Sequence, residues 1–261
     1  RGLSQLLGSG KVTLNADGYA IIREEVAEAV TQLDFRWYGF QIINFEGLEY
    51  FKNLEILRLD GYLEECDLSQ NTALKEFEMR FNNRLKTPVD FSKNPNIERI
   101  DLGYNYYIPS INLTGCNKLN YLDLTSNRTI TSLDLTGCEN LVTLNIASMM
   151  AITEVNVTSL KKLENLVASD TQITQLDLSG CSNLKSLNVS NTALQELNIT
   201  DPKALHSLYY GGTSLNIDLN KYTGLTVLGI DRMNLQSLDF IPGTIKAKLK
   251  ELTCGNNQLE E

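Results

Sequence analysis

Apolar residues recur along this chain in one fixed phrase, apolar-x-x-apolar-x-apolar, which opens at Leu119, Ile130, Leu141, Ile152, Leu163, Ile173, Leu184, Leu194 and Leu205. Successive openings lie 10 or 11 residues apart. The end of each phrase alternates apolar with polar, as a half-buried strand does. Repetition of one phrase from end to end predicts a solenoid. The phrase has two alternating variants. The first, Leu184-Lys-Ser-Leu187-Asn-Val189-Ser-Asn-Thr192-Ala-Leu194, ends in a short turn carrying Asn or Thr. The second, Ile173-Thr-Gln-Leu176-Asp-Leu178-Ser-Gly-Cys181, has Asp or Asn at its middle and Ser or Thr after it. Joined, they make coils of 20 to 24 residues beginning at Val30, Leu54, Leu74, Ile97, Leu119, Leu141, Leu163, Leu184, Leu205 and Leu225, with a half coil from Leu249. About six apolar side chains per coil turn inward, each contributing ~1.5 to 3 kcal/mol when buried, and no coil can bury them alone. Neighbouring coils must therefore stack.

Stacking turns every slot of the phrase into a column. Asn82, Asn105, Asn127, Thr171, Thr192, Thr213 and Asn257 fill one slot, and are expected to satisfy turn amides from coil to coil. Tyr38, Tyr62, Met149 and Met233 interrupt it, which predicts looser turns there. A second column runs Asn44, Asp67, Asp90, Asn112, Asp134, Asn156, Asp177, Asn198, Asp218 and Asp239. From Asp90 to Asp218 it alternates Asp with Asn, an arrangement expected to set an amide between carboxylates that would otherwise repel at ~4.8 Å. A cation-binding row is the competing reading.

Ten successive matches to this phrase make the chain resemble the leucine-rich repeats, in particular the nested IRREKO type of bacterial secreted and surface proteins, over about Val30 to Leu259. The resemblance implies a β-rich α/β fold. It would be a right-handed solenoid with one long parallel concave sheet, short second strands on the opposite side and a small helical N-terminal cap. The cap would take residues 1–29 and the solenoid residues 30–261, its last coil incomplete. Location outside the cell or on a bacterial surface is implied by the resemblance alone. Arg1 opens on no signal-peptide pattern, so an export signal would have been removed or never present.

The first thirty residues follow another rule. Leu3, Leu6 and Leu7 suggest a short helix, Gly8 and Gly10 break it, and Ile22, Val26 and Val30 give a second helical stripe. Between them, Thr13 to Glu24 resembles a worn EF-hand loop, with Asn15, Asp17, Tyr19 and Glu24 at ligand positions and Gly18 at the turn. Thr13 replaces the leading carboxylate and Ile21 stands at the ninth position. Losing that strong ligand favours an ion-free helical cap over a calcium site.

Composition narrows the partners. The formal charge of -9 and the absence of a Lys/Arg cluster argue against nucleic acid and anionic lipid. No apolar run approaches the ~20 residues of a membrane span. Five cysteines make no disulfide framework: Cys116, Cys138 and Cys181 take a turn slot filled elsewhere by Asn71, Asn94 or Ser159, while Cys66 and Cys254 replace strand leucines. Small buried thiols suit those slots, with Cys116 and Cys138 close enough on adjacent coils for a bridge.

Chemistry must come from outward positions of the first-variant strands. One row reads Asp34, Arg58, Glu78, Asp101, Asp123, Asn145, Val167, Asn188, Tyr209 and Gly229, charged in its first half and bland afterwards. Trp37, Tyr38, Tyr62, Phe81, Tyr104, Tyr106 and Tyr107 fall in the following turns of consecutive coils, with Tyr121 on the sheet nearby. Exposed Trp, Tyr and Arg are enriched in binding hot spots, which selects Trp37, Arg58, Glu78, Arg80, Phe81, Arg99, Asp101, Tyr104, Tyr106, Tyr121 and Asp123 as ligand-binding candidates. The alternative is that several rings merely seal the turn. Catalysis is not expected: His206 is the only histidine and has no orienting acid in the repeat frame, and Asp101 with Asp123 should belong to a salt-bridged patch that includes Glu78, Arg80 and Arg99. The expectation is a non-enzymatic module for a protein or peptide partner, without a cofactor. A glycan-binding or spacer segment of a larger adhesin-like protein is the alternative.

Overall fold

The structure, a computed structural model, describes residues 12–14, 20–36 and 46–260, with the backbone alone at 12–14, 20 and 21. Its main feature is one long parallel sheet of eleven short strands stacked in register. In chain order the strands of the molecule are β1 (Val12–Leu14), β2 (Ala20–Ile22), β3 (Gln32–Asp34), β4 (Ile56–Asp60), β5 (Glu76–Arg80), β6 (Val89–Asp90), β7 (Arg99–Asp101), β8 (Ile111–Asn112), β9 (Tyr121–Asp123), β10 (Thr143–Asn145), β11 (Asn165–Val167), β12 (Asp177–Leu178), β13 (Ser186–Asn188), β14 (Asn198–Ile199), β15 (Ser207–Tyr209), β16 (Val227–Gly229) and β17 (Glu251–Thr253). The long sheet takes β3, β4, β5, β7, β9, β10, β11, β13, β15, β16 and β17 in that order, so each coil adds one rung. Two small parallel pairs, β6 with β8 and β12 with β14, form from the second-variant segments.

The register explains the core. Leu57, Phe77, Ile100, Leu122, Leu144, Leu166, Leu187, Leu208 and Leu228 face one another on consecutive strands and are all buried. The apolar residues that open each coil, from Leu54 to Leu225, and those that end each strand, from Leu59 to Ile230, form parallel buried columns beside them. Phe77 meets Phe91 edge-on across the core, with ring centroids 5.6 Å apart. The coils thus share one continuous apolar interior.

Asparagine and threonine in the turn column do different jobs. Asn105 Nδ2 donates to Leu102 O of its own turn at 2.6 Å and to Met79 O of the preceding coil at 2.7 Å, and its Oδ1 accepts from the Asn82 amide at 2.7 Å. Asn127 likewise donates to Leu124 O and Leu102 O. Thr171, Thr192 and Thr213 each donate to a carbonyl three residues back in their own turn. The shorter side chain does not reach the neighbouring coil. The side chains therefore satisfy mostly carbonyls, where amides were expected. Met149 is buried in the same slot, and its turn bond to Ile146 O is long at 3.4 Å. Tyr62 is 44% exposed and does not seal its turn.

The Asp/Asn column is structural for a reason other than interleaving. Asp67, Asp90, Asn112, Asp134, Asn156 and Asp177 each accept, through Oδ1, the backbone amide two residues later. Both residue types offer the same oxygen, so the alternation is neutral to the turn. The amide bridge between coils occurs at Asn198, whose Nδ2 lies 3.5 Å from Asp177 Oδ1. Those bonds hold the carboxyls of Asp67, Asp134 and Asp177 below the ordinary carboxylate range. Among the described residues no three acid, thiol or imidazole groups converge as a metal site would need.

The cysteine slot is occupied by Leu160 in its coil, where Ser159 was expected, because the Leu160 amide closes the turn to Val157 O as the Cys116 and Cys138 amides do to Leu113 O and Leu135 O. All five cysteines are free thiols. Cys116 and Cys181 lean on the carbonyls of Phe91 and Val157 in the preceding coil. Burial pushes the Cys116 thiol up to about 12 and those of Cys138 and Cys181 up to about 11.

As far as it is described, the N-terminal segment holds a strand pair together with a helical turn in the second expected stripe. β1 and β2 pair antiparallel, with Thr13 opposite Ile21, so two positions of the expected calcium loop face each other in a hairpin. An EF-hand loop instead runs between two helices. Asn15, Asp17 and Tyr19 lie outside the described residues, as do Leu3, Leu6, Leu7, Trp37 and Tyr38; Glu24 is exposed and opens α1 (Glu24–Glu28). That single helical turn buries Ala27 and packs on the 3-10 turn Leu48–Tyr50. Asn53 Nδ2 donates to Glu28 O at 2.9 Å and fastens it to the first coil. A second short helix, α2 (Gly243–Lys246), carries the chain from β16 toward β17. Among the described residues no helix is long and apolar enough to cross a membrane.

Two outcomes follow. Asn105→Ala strands buried carbonyls on two coils and should cost about 2 to 4 kcal/mol in urea unfolding, against about 1 kcal/mol for Thr192→Ala, which loses one bond within one turn. In native protein a disulfide-exchange reagent should label the half-buried Cys254 first, and Cys116, Cys138 and Cys181 only as urea unfolds the chain.

Candidate functional site

The exposed face of the long sheet carries the predicted row without a slip: Asp34, Arg58, Glu78, Asp101, Asp123, Asn145, Val167, Asn188, Tyr209 and Gly229 are consecutive register partners. Its first half is an ion-pair lattice. Arg36 binds Asp34 at 2.7 Å and Glu78 at 2.9 Å. Arg58 binds Glu76 at 2.7 Å, with Asp34 and Glu78 within 3.9 Å. Arg80 spans two coils, reaching Asp101 at 2.8 Å and Asp123 at 3.0 Å, and Arg99 closes the set on Asp101 at 3.4 Å.

These groups are already engaged. Asp34, Asp101 and Asp123 also accept the amides of Arg36, Gly103 and Thr125, the same turn closure used on the opposite side. Burial holds the Asp101 carboxyl above the ordinary range, and the neighbouring Asp123 carboxylate adds to this; Arg80 works against both. Burial also opposes ionisation of Asp34, but the bonds from Arg36 outweigh it and its pKa is lowered. Arg99 lies over the Tyr121 ring, its Cζ 3.5 Å from the centroid, and burial raises that phenol's pKa. Arg58, Glu78, Arg99, Asp101, Tyr121 and Asp123 thus come together as expected, as a self-neutralised patch. In the second half of the sheet the Tyr209 ring rests on Gly229, where a Cβ would collide with it.

The turns that follow these strands are less satisfied. Phe81 and Tyr104 stack at 4.8 Å with planes 14° apart, and Phe81 is 59% exposed. Both hold left-handed backbone, φ 57° and 63°. Later coils take the same backbone at this slot with Ser126, Ser148, Asp170, Asn191, Gly212, Arg232 and Asn256. For a bulky residue the conformation costs roughly 1 to 2 kcal/mol, and such strain clusters at functional sites. Tyr62 and Tyr107 are also exposed. Cations lie over these rings: Arg84 over Tyr62 at 5.4 Å, Arg80 over Tyr104 at 5.8 Å, Lys86 over Tyr107 at 5.9 Å and Arg128 over Tyr106 at 4.4 Å. The edge candidates Phe81 and Tyr104 therefore meet, Tyr106 carries Arg128 over its ring, and Trp37 lies outside the described residues. Arg84, Lys86 and Arg128 were missed. The signal for them was their place one coil before or after a turn tyrosine.

The register, the turn asparagines and the coil length decide the fold. The chain folds as a leucine-rich-repeat solenoid. A family model for the leucine-rich-repeat domain of the endo-beta-N-acetylglucosaminidase EndoS matches residues 126–216 of it. That span lies beyond the aromatic edge, so it informs the fold of the later coils. A search of curated protein sequences finds no significant match. Among solved structures, the functional domain of InlJ from Listeria monocytogenes superposes with a TM-score of 0.64 at 22% identity, over 92% of this chain and 66% of that one. The leucine-rich-repeat chain thus spans just under two thirds of the InlJ domain. That domain includes a cysteine ladder. The internalin InlF of Listeria monocytogenes gives 0.64 at 22% identity over 99% of this chain and 81% of its own. A leucine-rich-repeat protein of Leptospira interrogans gives 0.65 at 19% over 91% and 70%.

Arg80 sets a pH-dependent stability. Its replacement, Arg80→Ala, leaves two nearly buried carboxylates without their shared cation and should cost about 3 kcal/mol at pH 7.5. The folded-state pKa of Asp101 is raised, so its favourable contribution is complete below the unfolded value of about 3.9 and is lost as pH rises through the folded value. Removing Arg80 moves that folded value further up. The deficit of Arg80→Ala should therefore shrink as urea unfolding is repeated toward pH 4.5.

Proposed function

We propose that this leucine-rich-repeat chain is a non-catalytic recognition module that binds a protein or peptide partner through the aromatic edge of its N-terminal coils, with the ion-pair lattice as the rigid floor beside it. One observation carries the reading: the exposed Phe81 ring stacks on the half-buried Tyr104 ring, both on left-handed backbone that Gly or Asn would adopt at lower cost. A passive spacer has no use for that strain. Broad exposed surfaces lined by Tyr and Arg suit protein partners. The absence of catalysis is supported by His206, exposed and bonded through Nδ1 to Ala204 O at 2.7 Å, and by Asp101 and Asp123, both taken by Arg80. Likeness to internalins supports a secreted or surface-exposed bacterial location.

The test is selection of a random-peptide phage library on the immobilised protein, with a glycan array run in parallel. Peptides recovered on the wild type should bind the double variant Phe81→Asn, Tyr104→Asn at least about tenfold more weakly, a loss of about 1.4 kcal/mol. The variant's melting temperature should stay within about 3 °C of wild type or rise, because the relieved strain offsets the lost stacking. Equal binding to the variant, or binders found on the glycan array alone, would reject the proposal.

A further inference from the structure

The charges around the edge rings specify the partner more closely than aromatic exposure does, an argument that rests on the recognition reading above. On the sheet face every arginine from Arg36 to Arg99 is in an ion pair. At the edge the pattern reverses. Lys86 and Arg128, both exposed, meet tyrosine rings and, among the described residues, no carboxylate. Arg84 has only Glu64 at 3.9 Å, with both side chains more than half exposed, a pairing that contributes little. A protein of formal charge -9 thus presents, on the coils that start at Leu74 and Leu119, three cations whose charge its own acids leave largely uncancelled.

Each cation also lies above a ring. Resting on a tyrosine face limits the sweep of a long side chain and leaves its N–H edge open to an acceptor. An arginine so placed can offer two parallel N–H bonds to a carboxylate. The coils from β4 to β9 advance by about 4.8 Å each, roughly 14 Å in all, which an extended peptide covers in about four to five residues. We propose that the edge formed by Tyr62, Phe81, Tyr104, Arg84, Lys86 and Arg128 binds an extended acidic peptide segment, its carboxylates on the cations and its apolar or aromatic side chains on the Phe81–Tyr104 stack.

The experiment measures fluorescence anisotropy of a labelled glutamate–tyrosine copolymer with the whole chain, against a lysine–tyrosine copolymer and heparin. The acidic copolymer should bind, lose at least about tenfold in affinity between 50 and 300 mM salt, and lose a further tenfold or more in Arg84→Gln/Lys86→Gln/Arg128→Gln. These three side chains are exposed, so the variant should melt with the wild type, which a thermal scan checks. Equal binding of the lysine copolymer, preference for heparin, indifference to the triple variant, or self-association abolished by it would each overturn the acidic-peptide assignment. Phage-selected peptides that need Phe81 and Tyr104 but show no enrichment in Asp or Glu would overturn it while leaving aromatic recognition standing.

Discussion

Everything in this molecule depends on coils stacking in register. Once each strand pairs with its equivalent in the next coil, residues twenty or more positions apart become neighbours at strand spacing. A slot in the sequence phrase then has to be filled by a side chain that tolerates a copy of itself above and below. Leucine does so readily, which is why the core columns from Leu57 to Leu228 have few interruptions. A charge does not, and the sheet face meets this with alternation across coils: Asp34, Arg58, Glu78, then Asp101 and Asp123 with Arg80 reaching over both.

Columns explain what the sequence disclosed and what it hid. Coil boundaries, the order of the long sheet and the row from Asp34 to Gly229 follow from period alone, since register leaves no freedom once one pair is placed. Within a column, the period does not say which bond a side chain makes. Asp101 and Asp123 combine the two features that suggest a ligand site, acidity and adjacency, yet a turn amide and Arg80 already hold both. The Asp and Asn of the opposite column were expected to bridge coils, but each first closes its own turn. Outside the repeat, the second of two expected helical stripes carries the helical turn Glu24–Glu28, while Asp17-Gly18 between apolar runs is also a hairpin signal, and the strands on either side do pair.

The edge was partly legible. Spacing placed Phe81 and Tyr104 together, because turn residues of consecutive coils must share an edge. It could not foresee the left-handed backbone under Phe81 and Tyr104, which six of the seven later coils take with Gly or a short polar residue and the seventh with Arg232. Nor did it single out Arg84, Lys86 and Arg128, scattered cations in an acidic chain that acquire meaning only from the rings beneath them.

A solenoid can carry such strain because its stability is close to a sum over coils and their interfaces. Two bulky left-handed residues together cost roughly 2 to 4 kcal/mol by the usual penalty. That cost falls on coils fixed by other means. Asn82 and Asn105 link the same turns through buried bonds, and Arg80 bolts the strands beneath them to β9. Buried polar cross-links between coils therefore underlie the segment that carries the two left-handed aromatic residues, and they keep Phe81 and Tyr104 in place without requiring their own packing to do so.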